Sequence, residues 1–535
     1  MPEKQLTARS IIFGLVGMLL ITSSSMFLAL KIGTMPWPML FATILSMTIL
    51  GRFKGSSNQE ISITETIMAS GAMVAGGIVF TIPGIWMLNP DAKIPFLPIA
   101  VMSVCGVLLG ILFSALYRSR LIVEQQLVFP HGNAVFETIS TGIKKGKDSL
   151  KLIISMGFSA LFAAVRDILQ LFPARLTLFA GNSLVQPVSL WLSPMALSIG
   201  AMISRLSAFV WLGGTLFAYL VFTPIAMKAG WFSDFTAVND FRQNIGIGIV
   251  IGTGVGVFIK AIFDIVVKKL AKKEEKKSEK TASEGSGNKT KNIGLILGVS
   301  VGCVILLTAG TELSFAQALL AVAGAGLTTL LSGMLTGECG TNPLEVFGIL
   351  VMLASSMLLK TSGTALFLTA GTVSVACGLT GVMMNDFKSG YKLGTDSKQQ
   401  LLAETIGALA GALLSTAMLF VIKKSIGTFG TDSYPAPQAA AVASLVKGGQ
   451  NNPELLWAIL AGAILYLLKV PSATLGLGIY MPIHISISMG FGAIAAVIMD
   501  KTGKVQDKDI NLISSGFMGG EGVVGVIVAI ISIFS

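Results

Sequence analysis

The sequence predicts an all-α membrane protein with roughly 14 to 16 transmembrane helices in two parallel internal repeats. Hydrophobic residues make up 53% of the 535 residues, charged residues make up 12%, and the mean hydropathy is +0.79. This composition is far more apolar than that of a soluble protein. Many apolar runs reach the length of about 20 residues that a membrane-spanning helix needs. Similar polar segments also recur in the two halves of the chain.

Apolar segments follow one another along the chain with short polar interruptions. The first run is not followed by a small-residue cleavage site, so we expect a retained helix rather than a removed signal peptide. In the first half and at the C-terminus we predict spans at residues 10–30, 36–51, 63–88, 95–117, 151–172, 205–223, 244–270 and 510–534.

Basic residues in the short loops indicate the topology. Arg9 precedes the first span, Arg52 and Lys54 follow the second, and Arg118 and Arg120 follow the fourth. By the positive-inside rule these loops are cytoplasmic. We therefore expect a multi-pass protein of the cell membrane with a cytoplasmic N-terminus. The Lys423-Lys424 pair does not fit this topology.

A charged segment separates the two halves. Residues 268–291 contain nine lysines and four glutamates, and they lack the aromatic residues that stack on nucleic-acid bases. We interpret residues 271–291 as a solvated cytoplasmic linker and expect no nucleic-acid partner. The predicted domains are a first transmembrane repeat at 1–270 and a second at 292–535.

The repeat hypothesis depends on two related polar segments, 121–139 and 385–406. Both end in Glu-Thr-Ile, and Glu137 and Glu404 are 267 positions apart. Asn244 and Asn511, each near the start of the last span of its half, have the same separation. Parallel repeats are typical of secondary transporters, which bind substrate near the membrane midplane where the halves meet.

Acidic residues inside predicted spans are the candidate binding residues, since each costs about 2.5 to 3.5 kcal/mol to insert. In TGECGTNPLE, at 336–345, glycines and Asn-Pro interrupt the helix, so Glu338, Asn342 and Glu345 could line a pocket. An ordinary turn capped by Asn342 is the alternative. Glu65 could occupy the matching position in the first half, or simply cap its helix.

Two further acids complete the predicted substrate site. Glu521 lies deep in the Gly-rich segment GFMGGEGVVG, where it could contact substrate or carry a proton, and Glu404 follows the polar segment of the second half. We expect Arg166 and Asp167, which are adjacent and cannot both face one cavity, to pair with groups on other helices.

The polar segment NDFKSGYKLGTDSKQQLLAETI, at 385–406, is predicted to be a hinge between two long apolar helices. Its glycines permit tight turns. We expect Asp386, Lys388, Gly390 and Tyr391 to form a cytoplasmic gate.

Other functional classes lack support in the sequence. The two histidines and four cysteines show no metal-binding spacing, and no phosphate-binding GxxxxGK[ST] loop is present. We therefore expect no metal site, no cofactor, no catalytic residues and no enzymatic activity.

The residues also resemble a known family, the oligopeptide transporter (OPT) family, which includes the yellow-stripe-like metal-chelate carriers. The resemblance covers most of the chain. It is carried by MFLALKIG at 26–33, ETIMASGAMVAGGIVFTIPGIWML at 65–88, LIVEQQLVFPHGNA at 121–134, NDFKSGYKLGTDSKQQLLAETIG at 385–407, YPAPQAA at 434–440 and SSGFMGGEGVVGV at 514–526. It implies about 16 helices built by successive duplication and uptake of small peptides or metal chelates with protons.

Some features typical of eukaryotic peptide carriers are missing. The chain has neither Lys-Ile-Pro-Pro-Arg nor Asn-Pro-Gly, and His131 stands where an acid is common after Phe-Pro. The chain therefore resembles a prokaryotic member of the family, and the substrate stays open between peptides and metal chelates.

We expect a secondary active, proton-coupled importer that works by alternating access in the lipid bilayer. Its driving force would be the proton gradient and its partner a small-molecule substrate, and a monomer and a homo-oligomer stay open as alternatives. A channel or other facilitator for small polar solutes is the main alternative. An intramembrane enzyme is a weaker one, because it would need a catalytic constellation that the sequence does not contain.

Overall fold

A computed structural model describes residues 5–33, 35, 38–141, 147–275, 289–340, 342–448, 452–502 and 507–534. The described chain is almost entirely helical, which confirms the all-α prediction. The helices before residue 276 are α1 Ala8–Ile32, α2 Pro38–Leu50, α3 Asn58–Val79, α4 Pro83–Leu88, α5 Phe96–Arg118, α6 Pro130–Thr141, α7 Lys147–Asp167, α8 Pro194–Met202, α9 Arg205–Leu216, α10 Thr223–Lys228 and α11 Phe235–Glu275.

Ten helices follow in the described residues from 289 onward. They are α12 Lys289–Gly310, α13 Phe315–Cys339, α14 Leu344–Leu359, α15 Thr364–Leu393, α16 Ser397–Ile426, α17 Pro437–Val446, α18 Pro453–Leu467, α19 Ser472–Tyr480, α20 Ile483–Thr502 and α21 Asp507–Phe534. Two π-helical turns, Ser119–Glu124 and Phe217–Phe222, extend α5 and α9. Strands β1 Arg175–Phe179 and β2 Val188–Trp191 form an antiparallel hairpin.

Nine helical stretches of the described chain are long and apolar enough to cross a membrane. Five shorter apolar helices of 10 to 17 residues accompany them. Together they confirm a polytopic membrane protein. The division into two repeats stays a prediction, and residues 276–288 of the predicted linker lie outside the described residues.

Local signals explain where the principal helices begin and end. The Thr7 hydroxyl accepts from the Ser10 amide and forms a capping box at the start of α1, and Gly33, with φ 74°, ends that helix. The Asp396 side chain accepts from the amides of Lys398 and Gln399 and so caps α16.

Helices α3 and α15 form the centre of the bundle. The most apolar 18 residues of α15 are all buried inside the protein, and 89% of those in α3–α4 are buried. Small residues allow close packing around them. A Cβ atom at Gly77 would lie 2.5 Å from the Val375 amide nitrogen, and one at Gly106 would lie 2.7 Å from the Val375 Cβ.

The bundle has two ends, which we call basal and distal. At the basal end the start of α1 meets the start of α16, because the Gln399 side-chain oxygen accepts from the amides of Gln5 and Leu6 at 2.9 and 2.8 Å. At the distal end the Ala436 amide donates to the Leu30 carbonyl at 2.9 Å. The basal end also carries the start of α3 and the end of α15.

The structure differs from the sequence prediction in two segments. The predicted hinge at 385–406 is helical except for the break between α15 and α16, because only Gly394, with φ 73°, adopts a left-handed turn there. The Pro-punctuated region between Pro173 and Pro194 contains the β-hairpin, which we did not predict.

Lys423 caps the distal end of α16. Its ammonium donates to the carbonyls of Pro90 and Gly427 and lies 5.8 Å from the centroid of the Trp86 ring. A lysine in the last turn of a helix is favourable because it satisfies terminal carbonyl groups and complements the helix dipole. This local role accounts for a basic residue at a position that the loop-charge pattern did not explain.

Candidate functional site

Three of the predicted site residues form a buried acidic cluster. Glu65 on α3, Asp386 on α15 and Glu404 on α16 are each 0% exposed. Glu404 interacts electrostatically with both Asp386 and Glu65. Asp386 and Glu404 lie within hydrogen-bonding range of each other, and none of the three acids forms an ion pair with a cation of the described chain.

The cluster forms because its members lie at the same depth. Glu65 is seven residues after the start of α3, Glu404 is seven residues after the start of α16, and Asp386 is seven residues before the end of α15. At 1.5 Å per residue, each is about 10 Å from the basal end of its helix. The three helices pack on one another there, so the side chains converge.

No cation balances the acidic cluster within the described chain. Lys388 is largely buried on α15, but it makes no ion pair with Asp386. The Gln400 side-chain amide donates to the Asp386 main-chain carbonyl at 2.6 Å, not to its carboxyl group. Burying an unpaired ionised carboxylate costs several kcal/mol, and neighbouring like charges add to that cost. The cluster is therefore suited to holding protons.

A glycine contact lies directly on the distal side of the acidic cluster. A Cβ atom at Gly411 would lie 2.5 Å from the Gly71 Cα, and one at Gly407 would lie 2.3 Å from the Ile67 carbonyl oxygen. We call Gly71, Gly407 and Gly411 the glycine seam. Its backbone-to-backbone contact closes α3 against α16.

A polar cavity of about 660 Å³ lies at the distal end. We call it the distal chamber. Its volume is within the range of about 300 to 1,000 Å³ typical of small-molecule sites. It is lined by Phe27, Lys31, Arg166, Asp167, Gln170, Leu171, Phe172, Pro173, Ala174, Ser433, Tyr434, Gly525 and Val528.

Glu521 lies on α21 on the basal side of the chamber and forms an ion pair with Arg166. A Glu521 carboxyl oxygen is 2.9 Å from an Arg166 guanidinium nitrogen, and the two side chains are 1% and 2% exposed. Ser193 and the Met195 amide each donate to the other carboxyl oxygen at 2.9 Å. Glu521 is deep, as predicted, but it is ion-paired and hydrogen-bonded, so it differs from the three unpaired acids.

Arg166 also binds its neighbour Asp167, with Nε 2.7 Å from a carboxyl oxygen. The prediction that adjacent Arg166 and Asp167 could not share a cavity was wrong, since both line the chamber. The long guanidinium side chain turns back along α7 and reaches both carboxylates. The expected pairing across helices is present as well, through Glu521.

Lys31 is held in a cage of aromatic rings on the chamber wall. Its ammonium is 5.0 Å from the ring centroid of Phe27, 4.6 Å from that of Trp191 and 4.9 Å from that of Tyr434. Burial raises the pKa of Tyr434 to about 12, so this ring stays neutral. Cation–π attraction holds the ammonium in place.

A second cavity of about 240 Å³ adjoins the chamber across the 430–435 segment, since Asp432 and Pro435 line it while Ser433 and Tyr434 line the chamber. Arg175 and Arg242 bring two further guanidinium groups to its wall. Neighbouring residues of the 430–435 segment therefore connect the walls of the two cavities, and these walls carry more basic than acidic side chains.

The three predicted residues of the 336–345 turn lie elsewhere. Asn342 donates to the Cys377 carbonyl at 2.8 Å and accepts from Ser332 at 2.9 Å, so it ties the turn to α15. Glu345 is in the first turn of α14, and Glu338 is half-buried near the end of α13. This group does not join Glu521.

The predicted gate residues lie close together on α15 but have different environments. Gly390 packs against Gln400, where a Cβ atom would lie 2.3 Å from the side-chain oxygen. Tyr391 is 52% exposed. Only Asp386 joins the acidic cluster, and a gating role for the four residues stays a prediction.

Sequence reasoning missed the basic residues of the distal region, Lys31, Arg175 and Arg242, and the ring residue Trp191. Lys31 was detectable as an isolated lysine at the end of the apolar run FLALKIG. It also missed that the tripeptide Glu-Thr-Ile occurs a third time, at 65–67. That repetition would have matched Glu65 to Glu404.

Within the described part of the chain, no group of three or more His, Cys, Asp or Glu residues is arranged to hold a metal ion.

Comparison with known proteins is consistent with this arrangement. The family model for "OPT oligopeptide transporter protein" matches residues 5–532. The chain is also similar to a protein of Haemophilus influenzae named "Putative oligopeptide transporter". The two are 25% identical over 587 aligned residues, which cover 95% of this chain and 92% of that protein.

Proposed function

We propose that this chain, which belongs to the OPT oligopeptide transporter family, is a secondary active, proton-coupled importer of small peptides or metal chelates. It would work by alternating access in the cell membrane. The basal end would face the cytoplasm, and the distal chamber would receive substrate from outside. Loop charges support this orientation, since Arg52 and Lys54 lie at the basal end.

The chamber supports a zwitterionic substrate. The second cavity that adjoins it carries two cations, Arg175 and Arg242, and a carboxylate, Asp432. A peptide presents an ammonium group at one end and a carboxylate at the other. Complementary charges in a shielded cavity orient such a molecule and compensate for part of its lost hydration.

The acidic cluster supports proton coupling. Glu65, Asp386 and Glu404 are fully buried and unpaired, so the closed packing of α3, α15 and α16 is stable when most of these groups carry protons. Loss of protons to the cytoplasm would place like charges together and favour separation of the helices. Separation there would open the basal end.

The glycine seam supports alternating access between a form open at the distal end and a form open at the basal end. Gly71 and Gly411 bring α3 and α16 into direct backbone contact on the basal side of the chamber. A small separation at this contact would change access from one end to the other. Rigid-body rocking of helices around a fixed site is the usual mechanism in secondary transporters.

The observation that carries the proposal is the buried acidic cluster without a balancing cation. Uptake of labelled trialanine into proteoliposomes tests it. We expect saturable uptake that increases with an inward proton gradient and falls when a protonophore collapses that gradient. Ferric and nickel chelates tested beside di- to hexapeptides would identify the substrate class. Uptake that is neither saturable nor pH-dependent would instead indicate a channel.

A further inference from the structure

The distal chamber and the second cavity have unequal numbers of positive and negative groups. Four basic side chains, Lys31, Arg166, Arg175 and Arg242, line them, against two carboxylates, Asp167 and Asp432. Arg166 is already neutralised by Asp167 and Glu521. The other three cations make no ion pair with a carboxylate of the described chain.

The two arginines of the second cavity have polar protein partners. Arg242 donates to the carbonyls of Ile479 and Tyr480 at the end of α19. Arg175 donates to the Asp432 carbonyl and the Ser433 hydroxyl, each at 3.4 Å. Their charges are oriented by main-chain and hydroxyl oxygens but are not neutralised by carboxylates. They suit the terminal carboxylate of a peptide.

Lys31 differs because it has no oxygen partner within the described chain. Its ammonium contacts three aromatic rings, Phe27, Trp191 and Tyr434, on the wall of the chamber. Ring faces attract the positive charge but do not neutralise it. The ammonium can therefore donate hydrogen bonds to an anion in the chamber, and the rings restrict its motion before the anion arrives.

We propose that the chamber selects peptides that carry an acidic side chain, and that the caged ammonium of Lys31 binds this second carboxylate. This inference depends on the proposed function, since it names the substrate class of the same site. The substrate ammonium would lie toward Asp432, the unpaired carboxylate of the two cavities. The substrate's terminal carboxylate would lie toward Arg175 and Arg242.

Lys31 differs from Arg166 because its ammonium forms no ion pair with a carboxylate of the described chain. The Trp191 ring lies beside both cations, with its centroid 4.6 Å from the Lys31 ammonium and 5.9 Å from the Arg166 guanidinium. Both cations interact electrostatically with Glu521 and Asp167, but of the two only Arg166 forms ion pairs with them in the described chain. Removing the Lys31 charge should leave the Arg166–Glu521 pair in place.

Competition with trialanine uptake in proteoliposomes tests the inference. The two competitors are Ala-Asp-Ala and Ala-Asn-Ala, which have nearly the same shape and differ in one charge. In the wild type we expect the acidic peptide to compete at a concentration about tenfold lower, as a charge-assisted hydrogen bond implies. In Lys31→Met this preference should disappear while trialanine uptake continues.

Lys424→Met is the matched control. It removes the same charge from an exposed position at the distal end of α16, and it should keep the preference for the acidic peptide. A thermal-shift titration of the detergent-solubilised variants with both peptides gives a readout of binding that does not depend on transport. Lys31→Gln serves the same purpose should the methionine variant fold poorly.

The outcomes separate this inference from the proposed function. Equal competition by the two peptides in the wild type, or an unchanged preference in Lys31→Met, would overturn the assignment of Lys31. Absence of saturable trialanine uptake, together with absence of uptake of other peptides and chelates, would instead overturn the proposed function.

Discussion

Arg166 and Glu521 join α7 to α21 through an ion pair 2.9 Å long that is almost completely buried. Ser193 and the Met195 amide complete the environment of the Glu521 carboxylate. The pair therefore connects three helices, α7, α8 and α21, at the base of the distal chamber. The arrangement of charged groups on the wall of the distal chamber depends on it.

Removing one partner of this pair should destabilise the protein strongly. Arg166→Met leaves the Glu521 carboxylate buried without its cation, a change that typically costs about 3 to 5 kcal/mol. We expect a marked fall in Tm in detergent. The double variant Arg166→Met/Glu521→Gln should recover part of this loss, because the unpaired charge is gone. A double variant no more stable than Arg166→Met would contradict this account of the pair.

Neutralising one acid of the cluster should abolish the coupling of protons to uptake without lowering the stability of the protein. Glu404→Gln removes a buried group that lies beside Asp386 and Glu65, so we expect Tm to stay equal or rise. Proton-driven uptake should be lost, whereas exchange of labelled for unlabelled peptide across the membrane should continue. Comparing uptake with and without a pH gradient measures the difference.

Glu312→Gln is the control for that experiment, since Glu312 is exposed after α12. It should retain proton-driven uptake. Full gradient-driven uptake in Glu404→Gln would show that this carboxyl does not couple protons to transport. Glu521→Gln tests the earlier assignment of the proton to Glu521 in the same assay.

The glycine seam should tolerate no side chain. In Gly411→Ala the new methyl group would lie 2.5 Å from the Gly71 Cα, so α3 and α16 must separate. Overpacking of this kind typically costs about 1 to 3 kcal/mol. We expect a lower Tm and greater labelling of cysteines introduced near the acidic cluster from the basal side.

Gly157→Ala provides the comparison for the seam, because nothing lies within 4 Å of a Cβ atom at that position on α7. Its Tm should be unchanged or slightly higher, since alanine is the better helix former. A similar Tm for both variants would mean that α3 and α16 can adjust at no cost.

Asn342 should act on stability rather than on substrate affinity. Asn342→Ala removes the amide that donates to the Cys377 carbonyl and accepts from Ser332. Because the Ser332 hydroxyl still donates to the Cys377 carbonyl at 2.8 Å, the loss is that of ordinary hydrogen bonds, about 0.5 to 1.5 kcal/mol each. We expect a lower Tm with an unchanged KM for peptide, and a higher KM at constant Tm would support the predicted substrate contact instead.

The sequence predicted the spanning helices well because their signal is local. The predicted spans 10–30, 95–117 and 510–534 lie within α1, within one residue of α5, and within α21, respectively. The β-hairpin escaped because strands of four and five residues between prolines have too few positions to show alternation. The helical course of 385–406 escaped because polar residues in it are buried against other helices.

The candidate site was predicted only in part, because its residues are distant in sequence. Glu65 and Glu404 were identified from the cost of burying an acid, and Asp386 was identified as part of the predicted gate, but nothing local indicated that the three converge. Their meeting depends on how three helices pack. Lys31 and Trp191 carried no such cost signal, since a lysine near a helix end and an aromatic residue are ordinary in membrane proteins.

The contact between Gly71 and Gly411 also affects the rate of conformational change. Interlocked side chains must leave their rotamers before two helices can shift, and each such step adds an energy barrier. At the glycine seam the two backbones touch and few side chains, among them Met18 and Ser70, border the contact, so few rotamers must change there. Helices α3 and α16 could thus change their relative tilt in small, smooth increments, so that turnover would be limited by solute and proton movements and not by the protein's own friction.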